Sequence, residues 1–471
     1  MLLAMTGLGL GWLTKAPCLD SYRLPGGQVA INWVNYRQYE LACYSDTIPL
    51  YGLERLQEGG FPYKTSWKDP DTGAQRYMEY PVATGLLQYG VARLTQAVVD
   101  AQGDSANPDP PRVVVYFTLM AVVLALAWLA AVAATLPLAA RARDVALMAL
   151  SPLVAVHAFT NFDAFAVALA AAGMFAWARR WPVLAGVLLG LGGAAKLYPL
   201  FILGPLLVLC WRARQLTSWW RAAAGAAAAW VVVNAPIAVL FPHGWAEFVR
   251  LNSTRPADHD SIYHAIAVFT GWQGFDGPLF SGQSPVRLNL ISLGVFAALC
   301  AVIALIGVLS ARRPRVASLA FLVIAAFLLT NKVWSPQYSL WLVPLAVLAL
   351  PRWLPLIAWM GVDAYLWVPR MGYFLNLGDP SRGNSPQTFL TVVLIRDALV
   401  LILCGWIIWT IFRPAADPVR ASGADDPAGG VLDGAPDRSS TPRATPGRQR
   451  SRGSRHAPTE PDPAPGPRSA W

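Results

Sequence analysis

The stretch 113 to 140 runs for 28 residues without a charged side chain, and nothing else in this sequence limits the fold as strongly. As a helix it is long enough to cross the roughly 30 Å of hydrocarbon in a bilayer at about 1.5 Å per residue. It does not stand alone: 55% of the residues are hydrophobic and 14% charged, with a mean hydropathy of +0.42. No soluble domain of this length needs so much apolar surface. The formal charge of +10 is not a nucleic-acid footprint, because the arginines fall between apolar stretches and near the C-terminus. That distribution reads as membrane topology, with no nucleic-acid partner.

Apolar runs separated by breakers predict about twelve spans, near 1 to 14, 113 to 140, 145 to 158, 163 to 178, 182 to 195, 197 to 211, 219 to 241, 288 to 310, 316 to 330, 337 to 350, 354 to 369 and 389 to 412. The expected class is an all-α polytopic membrane protein in the plasma membrane. Several spans are short for a full crossing. The first offers only about 14 residues before Lys15, against the roughly 20 a span needs, which points to a late start or an unusually short helix. A cleaved signal peptide is the rival, but no basic segment precedes the apolar run.

Arg141, Arg143, Arg179, Arg180, Arg212, Arg214, Arg312, Arg313, Arg315, Arg352 and Arg413 recur at every second boundary. Those boundaries are expected to be cytoplasmic. The long segments 15 to 112, 242 to 287 and 370 to 388 then lie outside, and chemistry on polar substrates belongs there. Residues 1 to 412 form one membrane domain. The remainder, 413 to 471, holds eleven prolines and a cluster of arginines, and is expected to be a disordered cytoplasmic tail. There is no Gly-rich phosphate loop, HExxH or CxxC pair. No intracellular loop is long enough for a nucleotide-binding domain, so any energy must arrive with the substrate.

Residues that break the membrane's rules carry the functional signal. Of five lysines, Lys196 and Lys332 sit at the outer ends of apolar helices, in Lys196-Leu-Tyr-Pro and Lys332-Val-Trp-Ser-Pro-Gln-Tyr. A cation there needs an anion: a substrate phosphate, or a lipid headgroup reached by snorkelling. Asp163, after the turn His157-Ala-Phe-Thr-Asn161-Phe, is either the N-cap of the next helix or a substrate contact. Asp363 lies inside a span and is structural or pathway-lining. Arg396 and Asp397 neutralise one another.

The first long loop interleaves acids with aromatics and prolines: Ser45-Asp46-Thr-Ile-Pro-Leu-Tyr51, Gly60-Phe-Pro-Tyr63 and Glu79-Tyr80-Pro81. Carbohydrate sites combine aromatic platforms with a carboxylate, and transfer to a sugar hydroxyl is helped by a carboxylate that takes its proton. Asp46 and Glu79 both qualify. Cys18 and Cys43 share this loop; they pair if it faces an oxidising exterior, or are two unrelated thiols. The segment 243 to 287 adds Arg250, Asn252, Arg255, Asp258, His259, Tyr263 and His264, a polar set suited to an acceptor pocket. The spacing of the two histidines fits no metal pair, and they read as ordinary hydrogen-bonding groups.

These motifs, with Asn161-Phe-Asp163, Gly190-Leu-Gly-Gly-Ala-Ala-Lys196-Leu-Tyr-Pro199 and Asn331-Lys-Val-Trp-Ser-Pro-Gln337-Tyr338, resemble the polyprenol-phosphate-mannose-dependent mannosyltransferases of glycosyltransferase family 87, which have the GT-C fold. The resemblance covers roughly residues 1 to 412 and departs at the clipped first helix. It implies a GT-C-like bundle, Asp46 as catalytic base, and a polyprenyl-phosphate mannose donor inverted to an α-linkage. It implies no metal and no cofactor. Lys196, Lys332 and Arg255 would stabilise the departing phosphate. Tyr51, Tyr63, Glu79, Asn161, Asp163, Tyr198, Gln337 and Tyr338 would complete the substrate site, with a glycolipid, lipoglycan or other glycan as acceptor and the lipid bilayer around it. Two other classes fit the same hydropathy: a secondary transporter coupled through Asp363, and a non-catalytic cell-envelope assembly protein in which Asp46 is expendable.

Overall fold

The computed structural model describes residues 1–25, 27–69, 73–103, 109–280 and 282–435. The chain is an all-α membrane protein, its only described strands forming two short antiparallel hairpins, Ser21–Arg23 with Val29–Ile31 and Trp67–Lys68 with Gln75–Arg76. In chain order the helices that matter below are α1 (Leu2–Lys15), α2 (Thr47–Leu53), α3 (Val82–Ala101), α4 (Arg112–Thr135), α5 (Pro152–His157), α6 (Asp163–Ala178), α7 (Pro182–Ala195) and α8 (Leu203–Arg212). They continue with α9 (Leu216–Leu240), α10 (Pro242–Thr254), α11 (Ile262–Thr270), α12 (Val286–Leu309), α13 (Val316–Thr330), α14 (Leu342–Ala349), α15 (Trp353–Tyr365), α16 (Trp367–Gly378) and α17 (Pro386–Phe412).

Local sequence sets many of these starts. Pro152, Pro182, Pro242 and Pro386 each open a helix, where the missing N–H has no partner to lose. Ser151 and Ser385 cap two of them by accepting from the N–H of Leu153 and Thr388.

Among the described residues, five helical stretches are long and apolar enough to cross a membrane: 2–19, 112–138, 216–240, 286–309 and 386–412. The first apolar run therefore does not stop at residue 14, because a 3-10 turn, Ala16–Leu19, carries it on. Other expected spans are interrupted. The run 145 to 158 is broken at Ser151 before Pro152, and 337 to 350 begins as a 3-10 turn, Pro336–Trp341. The run 354 to 369 ends at Tyr365 before α16 begins. Twelve uninterrupted crossings are thus not what the apolar runs form. α13 and α14 are almost wholly buried inside the protein, so their apolar character answers to neighbouring helices as much as to lipid.

Packing is closest between α7 and α9. A Cβ on Gly186 would fall 1.9 Å from the Ala222 carbonyl oxygen, and one on Gly190 would fall 2.3 Å from that of Ala226. The Gly-x-x-x-Gly spacing puts both on one face and lets the backbones touch, as small residues do between membrane helices. This close approach matters for the site, because α7 ends at Lys196.

Three features were not read from hydropathy. The segment 15 to 112 contains α3, whose buried positions Val82, Gly85, Gln88, Ala92, Thr95 and Val99 recur at helical spacing. Cys18 and Cys43 are disulfide-bonded. Residues 414–435 are folded, against the expectation of a disordered tail beginning at 413. Arg315 pairs with Asp417 at 2.7 Å, Asp426 accepts the N–H of Val316 at 2.9 Å, and Trp177 donates to the Gly429 carbonyl at 2.8 Å. The physical reason is that this segment borrows its order from groups at the ends of α6 and α13, which composition does not see. The expectation for 436–471 lies outside the described residues.

Candidate active site

Residues distant in sequence converge on one cavity of about 650 Å³. Its wall includes Asp46, Glu79, Asn161, Lys196, Tyr198, Arg255, Gln337 and Tyr338 among the residues expected from sequence.

Asp46 immediately precedes α2, where an aspartate usually turns back to cap the helix. It does not: no side-chain cap bond forms. The neighbouring backbone is held from outside instead. Ser45 Oγ donates to the Phe159 carbonyl at 2.7 Å, and the Asp46 N–H donates to the Thr160 carbonyl at 2.8 Å. The carboxylate is thereby left for Asn161, whose Nδ2 donates to Asp46 Oδ2 and to the Tyr80 hydroxyl, both at 2.7 Å. Asn161 Oδ1 accepts the Phe162 N–H at 2.6 Å, which settles which end of the amide faces the aspartate. Ahead of Asp46 the chain is anchored residue by residue. Trp367 Nε1 donates to the Ala42 carbonyl at 2.6 Å, Cys43 is in the disulfide, and buried Lys15 donates to the Tyr44 carbonyl at 2.9 Å.

The cations differ from one another. Lys196 ends α7 in an extended conformation, its ammonium 3.6 Å from Asp163 Oδ1 and over the rings of Tyr338 (4.7 Å) and Tyr80 (5.5 Å). Asp163 is fully buried off the cavity wall. Rather than capping α6, it accepts from Trp341 Nε1 at 2.8 Å and pairs with Lys196. Trp341 stacks between Tyr198 (4.4 Å) and Tyr338 (4.2 Å), giving the cavity an aromatic floor. Arg255 ends α10, and the following Pro256 excludes the helical conformation for it. Among the described residues its guanidinium makes no hydrogen bond or ion pair; Glu79 and Asp258 act on it only through space.

The remaining expected site residues are placed as follows. The Lys332 ammonium does not reach the cavity wall: it donates to the Arg255 carbonyl at 2.5 Å and to Asn289 Oδ1 at 2.6 Å. Burial and the neighbouring Arg255 charge lower it to about 8. Tyr51 stacks on Tyr116 at 4.3 Å, and the Tyr63 hydroxyl donates to the Tyr80 carbonyl at 3.0 Å; both are buried supports behind the wall. Glu79 is half-buried, 3.6 Å from Arg76. Burial raises its carboxyl above the usual range, against the pull of Arg255 and Arg76. Asp363 is buried in α15 and off the wall.

Sequence reasoning missed Arg370 and Trp367 on this wall, and took Tyr44 and Tyr80 only as part of the aromatic first loop without assigning them to the site. Arg370 pairs through Nε with buried Asp260 at 2.8 Å and lies over Phe374 at 4.7 Å. Arg396 does more than neutralise Asp397 (2.9 Å): it also donates to the Asp260 carbonyl at 2.9 Å and covers Trp334 at 3.7 Å. An arginine just past an apolar run was the available signal for Arg370, but it is the same signal that marks topology. His259 also borders the cavity, its Nδ1 3.1 Å from the Tyr373 hydroxyl and its ring edge-on to His264 at 5.0 Å.

The arrangement can accept a proton at an oriented carboxylate and receive an anion at a guanidinium that has no ion pair among the described residues, within a partly aromatic chamber. Residues 110–336 match the model of glycosyltransferase family 87. No curated protein matches the chain. The matched region holds Asn161, Asp163, Lys196, Tyr198, Arg255 and Lys332; Asp46, Glu79 and Arg370 lie on either side of it.

Proposed function

We propose that this chain, a glycosyltransferase of family 87, moves a hexose from a polyprenyl-phosphate donor to a hydroxyl of a glycan acceptor, at the extracytoplasmic side of the plasma membrane. Mannose is the sugar implied by its motifs, with a glycolipid or lipoglycan as acceptor. Asp46 accepts the proton of the acceptor hydroxyl as that oxygen attacks the anomeric carbon. The bond to phosphate oxygen breaks on the opposite face, and inversion converts a β-linked donor to an α-linked product. The leaving lipid monophosphate takes the bonding electrons, and Arg255 and Lys196, which line the same cavity, stabilise that charge as it develops.

The observation that carries this reading is the shared cavity: an aspartate turned away from its helix and oriented by Asn161, facing the same space as an arginine that forms no ion pair among the described residues. Glu79 is the less favoured base, since its carboxylate already pairs with Arg76 at 3.6 Å. The test uses membranes carrying wild type or Asp46→Ala, radiolabelled polyprenyl-phosphate mannose, and a lipid extract as acceptor. Transfer by the wild type alone is expected. Equal transfer by both proteins removes Asp46 as the base, and transfer by neither removes mannose as the sugar.

A further inference from the structure

We infer that Lys332 and Asn289 form a clamp that positions Arg255, so that Lys332 serves the donor phosphate through Arg255 rather than by touching it. This rests on the proposed role of Arg255 as the phosphate's partner. Two elements reach the segment 253–258 from outside. Asn289, in the first turn of α12, donates through Nδ2 to the Ser253 carbonyl at 2.8 Å. Its Oδ1 accepts from Lys332 Nζ at 2.6 Å, and that same ammonium donates to the Arg255 carbonyl at 2.5 Å. The Lys332 carbonyl in turn accepts the Asp258 N–H at 2.8 Å. Positions 253, 255 and 258 are thus held by one asparagine and one lysine.

The chain needs that holding. α10 stops at Arg255, and Pro256 has no N–H with which to join a new turn. A guanidinium at the end of a long, unpaired side chain is placed only as well as its backbone is fixed, and an error near 1 Å in a catalytic contact is expensive. Lys332 is buried, with no carboxylate within ion-pair distance among the described residues; its partners are a carbonyl and an amide oxygen. A cation kept in such a place beside another cation is poorly explained by stability alone. Fixing Arg255, whose charge a bound phosphate would offset, accounts for it.

The experiment is a double-mutant cycle on the full chain reconstituted in lipid nanodiscs, with polyprenyl-phosphate mannose as donor and separate KM values for donor and acceptor. Lys332→Met and, independently, Asn289→Ala are expected to raise the donor KM about tenfold and leave the acceptor KM unchanged, while Lys332→Met adds less than about twofold in an Arg255→Ala background. Losses that multiply in the double variant overturn the clamp, because Lys332 would then act on the donor directly. An unchanged donor KM in both Lys332→Met and Asn289→Ala overturns it too. An unchanged donor KM in Arg255→Ala instead overturns the phosphate role of Arg255 itself. Asn289→Ala, at a partly exposed position, keeps the test open should Lys332→Met not insert.

Discussion

Asn161 Nδ2 lies 2.7 Å from Asp46 Oδ2, joining residues 115 positions apart in the chain and aiming one at the cavity through the other. Neither residue points at the other in the sequence, and the contact exists because the 42–46 segment is laid against the 159–162 turn.

Asn161→Ala should therefore lower kcat about 10- to 100-fold with little change in donor KM, since the base is kept but its orientation is lost. Asn161→Asp places a second carboxylate at hydrogen-bond distance and should move the acidic limb of the rate profile to higher pH, because like charges raise the proton affinity of the pair. A pH–rate series on both variants checks this. An unmoved limb in Asn161→Asp removes the pairing.

Gly190→Val should disrupt the α7–α9 contact, where even a Cβ would sit 2.3 Å from a backbone oxygen. Overpacking of this kind costs at least about 1 to 3 kcal/mol, and here the obstacle is backbone that cannot rotate aside. Thermal unfolding in detergent, compared with Gly204→Ala, where a Cβ meets nothing within 4 Å, reports it.

Glu54 is buried, and its two carboxyl oxygens have no hydrogen-bond partner among the described residues. Burial, and then the charge of Glu79, raise its carboxyl well above the usual 4.5. The folded protein consequently holds a proton that the unfolded chain releases at lower pH. Stability from this group is present below the unfolded value and is lost as pH rises through the folded one, with a slope approaching about 1.4 kcal/mol per pH unit. Glu54→Gln should flatten that decline and raise Tm relative to wild type above neutral pH. Parallel Tm–pH curves for the two proteins would exclude it.

Asp417→Asn should destabilise the protein, since Arg315 would lose the carboxylate that pairs with it at 2.7 Å in a nearly water-free setting. Breaking one half of a buried pair typically costs about 3 to 5 kcal/mol. Two carbonyls, of Leu348 and Ala349, still accept from Arg315, so the lower end of that range is expected. Chemical denaturation of the purified variant measures it; wild-type stability would mean that 414–435 is not held through this pair.

By itself the sequence determined the class of molecule: apolar runs such as 113 to 140 have nowhere to go but a bilayer or another helix. It also marked Lys196, because a charge and a helix breaker beside an apolar run are costly unless something is gained from them, and it marked Asp46 and Arg255 as members of polar, aromatic-rich loops. The tertiary structure decided how those residues are used. Whether an apolar stretch is one helix or two depends on local breaks, as at Ser151 and Leu366, that hydropathy averages away. Whether a lysine meets the cavity or the back of its wall depends on a side-chain direction set by packing. Lys196 and Lys332 look alike in sequence; they part because Asp163 and Tyr338 hold the first beside the cavity, while Asn289 and the Arg255 carbonyl draw the second behind it. Arg370 stayed hidden for the same reason, its partner Asp260 being 110 residues away and adjacent only once the helices have packed.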